Sequence, residues 1–411
     1  MQVLYISYDG LTDPLGQSQI IPYLTGLAQK GHKLTILSCE KKHLFTYQNV
    51  KILCLLQKYN INWVPVNYTH YPPILSTIWN IFKLKRKAFH ICRQQKITIV
   101  HCRSYVSSLV GIYLKSKFNL KFIFDMRGFW ADERVDGRLW NLKNPLYKLI
   151  YNYFKTKELR FLRLSDFTIT LTENARKEIH RWQHLPCQPI PIEVIPCCAD
   201  KKYFSIESVN FSLLSEFKKS NIITNQDFIL SYLGSIGTWY MLEEMLLFFK
   251  QLLVSNPYAK FLFITHEPKE SILVAANKTG VPSAKLIIKS ATREEVPTLL
   301  SISKLSIFFI KPVFSKIASS PTKFGEALSM GIPVICNSGI GDVDAVIQES
   351  KCGLLINNFN DEEYLKAINK IDDLLLTRKE QIVSTANKFF SLETGIERYH
   401  KIYQQIITFA L

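Results

Sequence analysis

No apolar run in the 411 residues approaches 18, so no segment of the sequence is long enough to cross a bilayer as a helix. The opening stretch MQVLYISYDG lacks a basic leader, an apolar core and a small-residue cleavage site. It reads as a buried strand entering a turn, and no export signal is expected. There is no HExxH or other histidine spacing suited to a metal, and the nine cysteines fall without CxxC pairs. We therefore expect no metal, no cofactor and no disulfide framework, but free thiols in a reducing cytoplasm. Neither GxGxxG nor a P-loop occurs, which removes the usual signatures of dinucleotide and Walker-type binding. Repeats of 20 to 50 residues and low-complexity tracts are missing too, which excludes solenoids and long disordered regions.

Acidic residues are scarce in one half only. Residues 1–200 carry 28 Lys and Arg against 13 Asp and Glu, so that nearly all of the net charge of +17 sits there. Such a half faces something anionic, nucleic acid or a membrane surface. No nucleic-acid module is recognisable, which leaves the membrane. The basic residues are densest in 72–96, where Leu75, Ile78, Phe82, Phe89 and Cys92 recur near helical spacing beside Lys83, Lys85, Arg86, Lys87, Arg93 and Lys96. Two readings fit: an interfacial helix lying on a charged leaflet, or a helix whose apolar stripe packs on a sheet.

With 47% hydrophobic residues the chain has enough apolar material for two ordinary cores. Apolar runs alternate with amphipathic segments: VLYIS, a helix over about Gln17–Lys30, KLTILS, TIVHC, KFIFDM and FTITLT. After a Pro-rich stretch at 183–196 the alternation restarts with FILSYLGS, KFLFIT, KLIIKS, LSIFFI and PVICNS. This pattern predicts an α/β protein of two Rossmann-like, doubly wound parallel-sheet domains, with a linker at 183–196 and a cleft between them. The loop DGLTDPLGQSQ, 9–19, opens the first helix, so Gly16, Gln17 and the amides near them are either an anion site or a plain turn.

The stretch ASSPTKFGEALSMGIPVI, 318–335, carries the most chemistry. Ser320 suits an N-cap, Pro321 a first helical position, and Gly331 with Pro333 a stop. Lys323 in the first turn stands where a cation is disfavoured unless an anion joins it. With free amides it would cradle phosphate, and Glu326, one turn deeper, would accept from hydroxyls. A solvated Lys323/Glu326 pair is the alternative. Asp342 and Asp344 form a D-x-D pattern at the start of a helix, where N-capping accounts for them better than a metal.

YLGSIGTWYMLEEMLLFF followed by SSPTKFGEALSMGIPVI, with VIPCCADKKYF between the halves, GLLINNFNDEEYLKAI later and RYHKIYQQI at the end, resembles the GT-B glycosyltransferases of family 4 over essentially the whole chain. The resemblance implies an acceptor-side domain over 1–190, rejoined by a helix at about 392–411, and a donor domain over 197–390. It implies a retaining hexosyltransferase acting on a nucleotide sugar, expected to be a UDP-sugar, with a lipid-linked or surface-polysaccharide acceptor at the inner membrane face. Glu326 inherits the ribose contact, and Gly234, Ser235, Ser320, Thr322 and Lys323 the remaining donor site. The chain departs from the family where a Glu is usual, at Ala318, and where Arg and Lys usually follow Gly234. Arg127, in FDMRGFWADE, stands where such enzymes often carry His. An Arg cannot be a base at neutral pH, but its fork can hold an anionic acceptor or a leaving phosphate. Asp125 accompanies it, and Asp132 and Glu133 lie nearby; a plain Asp125/Arg127 ion pair is the alternative. Arg103, after VHC, is a second candidate. A sugar-nucleotide epimerase of the same architecture and a catalytically impaired sugar-nucleotide-binding protein are competing functions.

Overall fold

The computed structural model describes residues 1–183, 185 and 190–408, with side chains through 406. The chain divides into two compact units, Met1–Pro196 joined by the last helix, Leu392–Thr408, and Cys197–Ser391. The first unit holds β1 (Gln2–Ser7), β2 (Lys33–Glu40), β3 (Asn62–Asn67), β4 (Ile99–Arg103), β5 (Lys121–Asp125), β6 (Phe167–Thr170) and β7 (Ile192–Val194). They form one parallel sheet in the order β3-β2-β1-β4-β5-β6-β7. The second unit holds β8 (Phe228–Leu233), β9 (Ala259–Ile264), β10 (Leu286–Lys289), β11 (Leu305–Phe308), β12 (Val334–Asn337) and β13 (Gly353–Ile356). Their order is β10-β9-β8-β11-β12-β13, again parallel. Helices follow nearly every strand, so both sheets are doubly wound.

Burial on both faces explains the apolar runs. In β1 and β4 nearly every residue is buried, and in the second unit Phe261, Phe263, Phe308 and Phe309 pack with Phe248 and Phe249 of the helix Leu242–Ser255. Each such side chain contributes about 1.5–3 kcal/mol on burial. The last helix lies against the helix Ile21–Gln29. Gly26 permits the approach, since a Cβ there would come within 2.3 Å of Ile396.

Three expectations are sharpened. The single helix over Gln17–Lys30 is two, Pro14–Gln19 and Ile21–Gln29, broken at Ile20, because Pro22 has no N–H to continue the ladder and its ring would strike the carbonyl four residues back. The linker at 183–196 falls partly outside the described residues, at 184 and 186–189, and its described end carries β7, paired with β6. In the helix Leu75–Gln94 the inward face is Ser76, Asn80, Leu84, Ala88 and Ile91. Asn80 anchors that face by accepting from the Thr69 amide at 3.0 Å and donating to the Thr69 carbonyl at 2.8 Å. Of the apolar stripe, Leu75, Ile78 and Phe82 turn outward, while Phe89 packs on Tyr113 and Phe118.

Candidate functional site

Open parallel sheets bind ligands at the carboxyl ends of their strands, where the strand order reverses. In the second unit that point lies between β8 and β11. The loop leaving β8 begins at Gly234, whose φ of 113° only glycine adopts easily. It returns along the end of β11: Tyr240 bridges Ile310, the Met241 amide donates to the Phe309 carbonyl at 3.0 Å, and the Lys311 amide to the Trp239 carbonyl at 2.9 Å. Beyond β11 come a 3-10 turn, Phe314–Ala318, and the helix Thr322–Ser329.

That helix starts one residue later than its sequence suggests. Pro321 is the cap residue, with no side-chain cap bond, and Ser320 is not the N-cap; its Oγ accepts from the Cys197 amide at 3.0 Å. A proline loses nothing at the cap, having no N–H to satisfy. Lys323 and Glu326 are both buried, which removes the solvated-pair reading. The Lys323 Nζ donates to the Tyr232 hydroxyl at 2.8 Å and lies 4.1 Å from the centre of that ring and 3.6 Å from that of Tyr240. Burial pushes the Lys323 ammonium well below the ordinary lysine range, and Glu326 only partly opposes this. The Tyr232 hydroxyl in turn donates to the Ser235 carbonyl at 2.5 Å, so Ser235 is tied into the same network through its main chain.

Glu326 faces Arg293, whose Nη1 donates to its Oε1 at 3.3 Å. Burial raises the Glu326 carboxyl, with Arg293 and then Lys323 pulling against it. The Arg293 guanidinium is held over the rings of Tyr203 and Phe204. Arg293 and Lys316, a buried lysine with Nζ 3.7 Å from the centre of the Trp239 ring, escape sequence reasoning. Neither belongs to a motif, and only the tertiary fold brings them here. In the D-x-D stretch Asp342 makes no side-chain cap bond to its helix, while Asp344 accepts from the Gly339 amide at 3.0 Å and so fastens the preceding loop.

The first unit reverses its order between β1 and β4, and there two amides of the loop 9–19 are taken up by a side chain of the unit itself. The amides of Leu11 and Thr12 donate to Glu40 Oε1 and Oε2 at 2.8 and 3.2 Å, and the Thr12 hydroxyl to Oε2 at 2.6 Å. The Gly10 amide ends on Asp13 and the Gln17 amide on the Asp13 carbonyl. Gly16 is required for contact, because a Cβ would fall 2.1 Å from the Gly10 carbonyl oxygen, and the Gln17 side chain serves Thr12 and Gln48. Gly16 and Gln17 therefore both take part in building the loop.

Next to this loop the structure brings Arg103, Asp125 and Arg127 together. Arg103 is buried, with Nε 3.7 Å from Asp9. Arg127 sits at a φ of 57°, followed by Gly128 at 120°, and its Nη1 lies 3.9 Å from Asp125. Asp125 is wholly buried, accepts from the Tyr399 hydroxyl at 3.1 Å and lies 3.6 Å from His101 Nε2. Burial pushes the Asp125 carboxyl up, but Arg127, His101 and Arg103 outweigh it and hold it below the usual range. His101, whose Nδ1 is 2.7 Å from the Tyr403 hydroxyl, is driven below its ordinary value by burial. It was not singled out in the sequence. Asp132 is elsewhere, bonded to Tyr151 and Lys155.

Residues 23–203 match the model of glycosyltransferase family 4, and residues 215–386 that of the glycosyl transferases group 1. The chain belongs to the GT-B glycosyltransferases of family 4 type. Among solved structures it is similar to sucrose-phosphate synthase from Thermosynechococcus elongatus, with 14% identity, 99% of each chain covered and a TM-score of 0.74. It is also similar to Anabaena HepE in complex with UDP and glucose, with 11% identity, 98% of this chain and 99% of that one covered and a TM-score of 0.68. WaaG, a glycosyltransferase involved in lipopolysaccharide biosynthesis, is 15% identical over 97% of this chain and 99% of its own, with a TM-score of 0.68. A search of curated proteins gives no significant match.

Proposed function

We propose that this glycosyltransferase moves a sugar, with retention, from a UDP-sugar to a lipid-linked or surface-polysaccharide acceptor, working as a peripheral protein on the anionic cytoplasmic face of a membrane. In this reading the reaction is metal-independent. Lys323 and the amides that open its helix take the diphosphate, Thr322 and Ser320 line that end, Glu326 takes the ribose, and Gly234 and Ser235 leave room for the donor to approach the main chain. Arg127, held by Asp125, takes an anionic group of the substrate through its fork, with Arg103 beside it.

The observation that carries the membrane and acceptor part is the outer face of the helix Leu75–Gln94. Leu75, Ile78, Trp79 and Phe82 are 64, 58, 53 and 51% exposed, and Trp79 stacks on Phe82 at 5.4 Å. Lys83, Lys85, Arg86 and Lys87 follow directly. An apolar, aromatic-bearing face flanked by cations suits the headgroup boundary of an anionic leaflet. Sedimentation with vesicles tests it. We expect binding to phosphatidylserine-containing vesicles that weakens with salt, little binding to neutral ones, and release on neutralising all four cations, each contributing about 1 kcal/mol. Equal binding to both vesicle types removes the membrane part. For the donor, product analysis with a panel of UDP, GDP, CMP and dTDP sugars in EDTA decides. An epimerised free donor, with no sugar transferred, would favour the epimerase reading.

A further inference from the structure

We infer that Arg293 is a positioning residue of the donor site: its guanidinium pins one oxygen of the Glu326 carboxylate and leaves the other for the hydroxyls of the donor's ribose. This rests on the reading in which Glu326 takes the ribose, and it adds a residue which that reading does not contain.

The guanidinium is seated by two separate parts of the second unit. It lies over the rings of Tyr203 and Phe204, 5.6 and 5.3 Å from their centres. Phe204 belongs to the core, and the amides of both residues donate to the Asp200 carbonyl, at 3.0 and 2.9 Å, so the rings stand on a closed turn. Arg293 itself lies in a second closed turn, after β10. The Glu295 and Val296 amides donate to the Thr292 carbonyl at 3.0 and 3.1 Å, and the Thr292 amide to the Glu295 carboxylate at 2.8 Å. A flat cation on such supports keeps few of its rotamers, so it can fix the group it bonds.

The bond to Glu326 is single. Nη1 donates to Oε1 at 3.3 Å, and among the described residues no side chain or amide donates to Oε2. Lys323, one turn earlier on the same helix, gives its ammonium to the Tyr232 hydroxyl instead. Glu326 is 6% exposed, and a carboxylate so buried is either neutralised or held by a cation. Arg293 opposes the burial that raises this carboxyl, and so favours the ionised form, which only accepts hydrogen bonds. A bidentate fork would have taken both oxygens and left the ribose nothing. One oxygen held and one spare suit a ligand that offers neighbouring hydroxyls.

Calorimetry on the full chain compares UDP with 2′,3′-dideoxyuridine 5′-diphosphate, which keeps the base and the diphosphate and lacks both hydroxyls. The ratio of the two affinities reads the hydroxyl contact, whereas a general loss of packing weakens both ligands together. The unaltered protein should prefer UDP by at least about tenfold, as charged hydrogen bonds would give. In Arg293→Met that preference should fall to about threefold or less. In Arg293→Lys, which keeps the charge without the planar fork, it should stay below the unaltered value. On a Glu326→Ala background, Arg293→Met should change the ratio no further. Full preference in a folded Arg293→Met protein overturns the inference and leaves the donor reading intact. Full preference in Arg293→Lys does the same, and decides the matter if Arg293→Met does not fold. A further fall on the Glu326→Ala background would mean that Arg293 meets the sugar itself, which overturns the positioning role. No binding of UDP, equal affinity for both ligands in the unaltered protein, or a preference that survives Glu326→Ala overturns the ribose reading of Glu326 and the inference with it.

Discussion

At the reversal of the first sheet, between β1 and β4, the loop amides end on the carboxylate of Glu40. At the reversal of the second, between β8 and β11, the buried Lys323 ammonium donates to the Tyr232 hydroxyl and lies against the Tyr240 ring. The backbone plan is the same in both places, and the chemistry is opposite. In the first, the Leu11 and Thr12 amides are taken up by an internal carboxylate, which leaves any external anion to the side chains of Arg103 and Arg127. The Lys323 ammonium, buried against an uncharged hydroxyl and ring, keeps an attraction for an anion in reserve. The strand order thus says where a ligand could bind, and the side chains closing each reversal say whether an anion is wanted.

Breaking the first half of this comparison should have the largest effect. Glu40→Ala strips the Leu11 and Thr12 amides and the Thr12 hydroxyl of their shared acceptor in a buried place, which should cost about 3 kcal/mol of stability in denaturant unfolding. Glu40→Gln, which keeps one oxygen, should lose less. Unaltered stability in Glu40→Ala would mean that the loop finds its partners in water and the contrast is false.

The second half is sharpened by Lys323→Ala. Loss of a charged hydrogen-bond donor of this kind is worth about 1.5–3 kcal/mol, so UDP affinity should fall by roughly 10- to 100-fold while the melting temperature holds. A pH dependence accompanies it. Burial keeps the Lys323 ammonium well below the ordinary lysine range in the free protein, and a bound anion would draw the proton back. UDP binding should therefore take up a proton, and affinity should fall as pH rises through the free protein's Lys323 pKa. Calorimetry in buffers of different ionisation enthalpy measures the uptake, and a buffer-independent heat across that range would contradict it.

The smallest effect is expected at Arg127, where charge does bear on the first unit. The low Asp125 carboxyl contributes stability that is present above the unfolded value and is lost as pH falls through the folded one. Without Arg127 the burial of Asp125 counts for more, so Arg127→Ala should unfold at a higher pH on the acid side and cost about 1 kcal/mol at pH 7, with Tyr399 still bonded to the carboxylate. Arg127→Lys should recover part of both. Turnover that merely follows the folded fraction would assign Arg127 to the fold, whereas turnover lost in well-folded protein would assign it to the substrate.

The ten strands named from the sequence are all present, and the three it did not name, β3, β7 and β13, are all edge strands. An edge strand has a neighbour on one side only and is covered less, so its residues need not be uniformly apolar. β3 carries Pro65 and buries only Trp63 and Val66, and β7 hides in a Pro-rich stretch. The site was legible in part for a related reason. Lys323 and Glu326 stand in a helical motif with its own start and stop signals, whereas Arg293, Lys316 and His101 acquire their surroundings only when distant segments meet. The direction of the helix Leu75–Gln94 stayed open in the sequence, because nothing there shows that Asn80, a polar residue, faces inward once Thr69 satisfies its amide.

The last helix, Leu392–Thr408, has a consequence for the order of events during synthesis. Its Tyr399 and Tyr403 complete the hydrogen bonds of Asp125 and His101, and its Ile396 fills the space over Gly26. All three partners are made early, yet they wait until the entire second unit has left the ribosome before these contacts can form. The second unit, one uninterrupted run from Cys197 to Ser391, has no such wait. Domains that emerge first commonly fold first, but here the earlier half stays unfinished, with the floor of its core uncovered, while the later half closes. A nascent chain stalled before residue 392 should therefore carry a protease-sensitive first unit and a resistant second one.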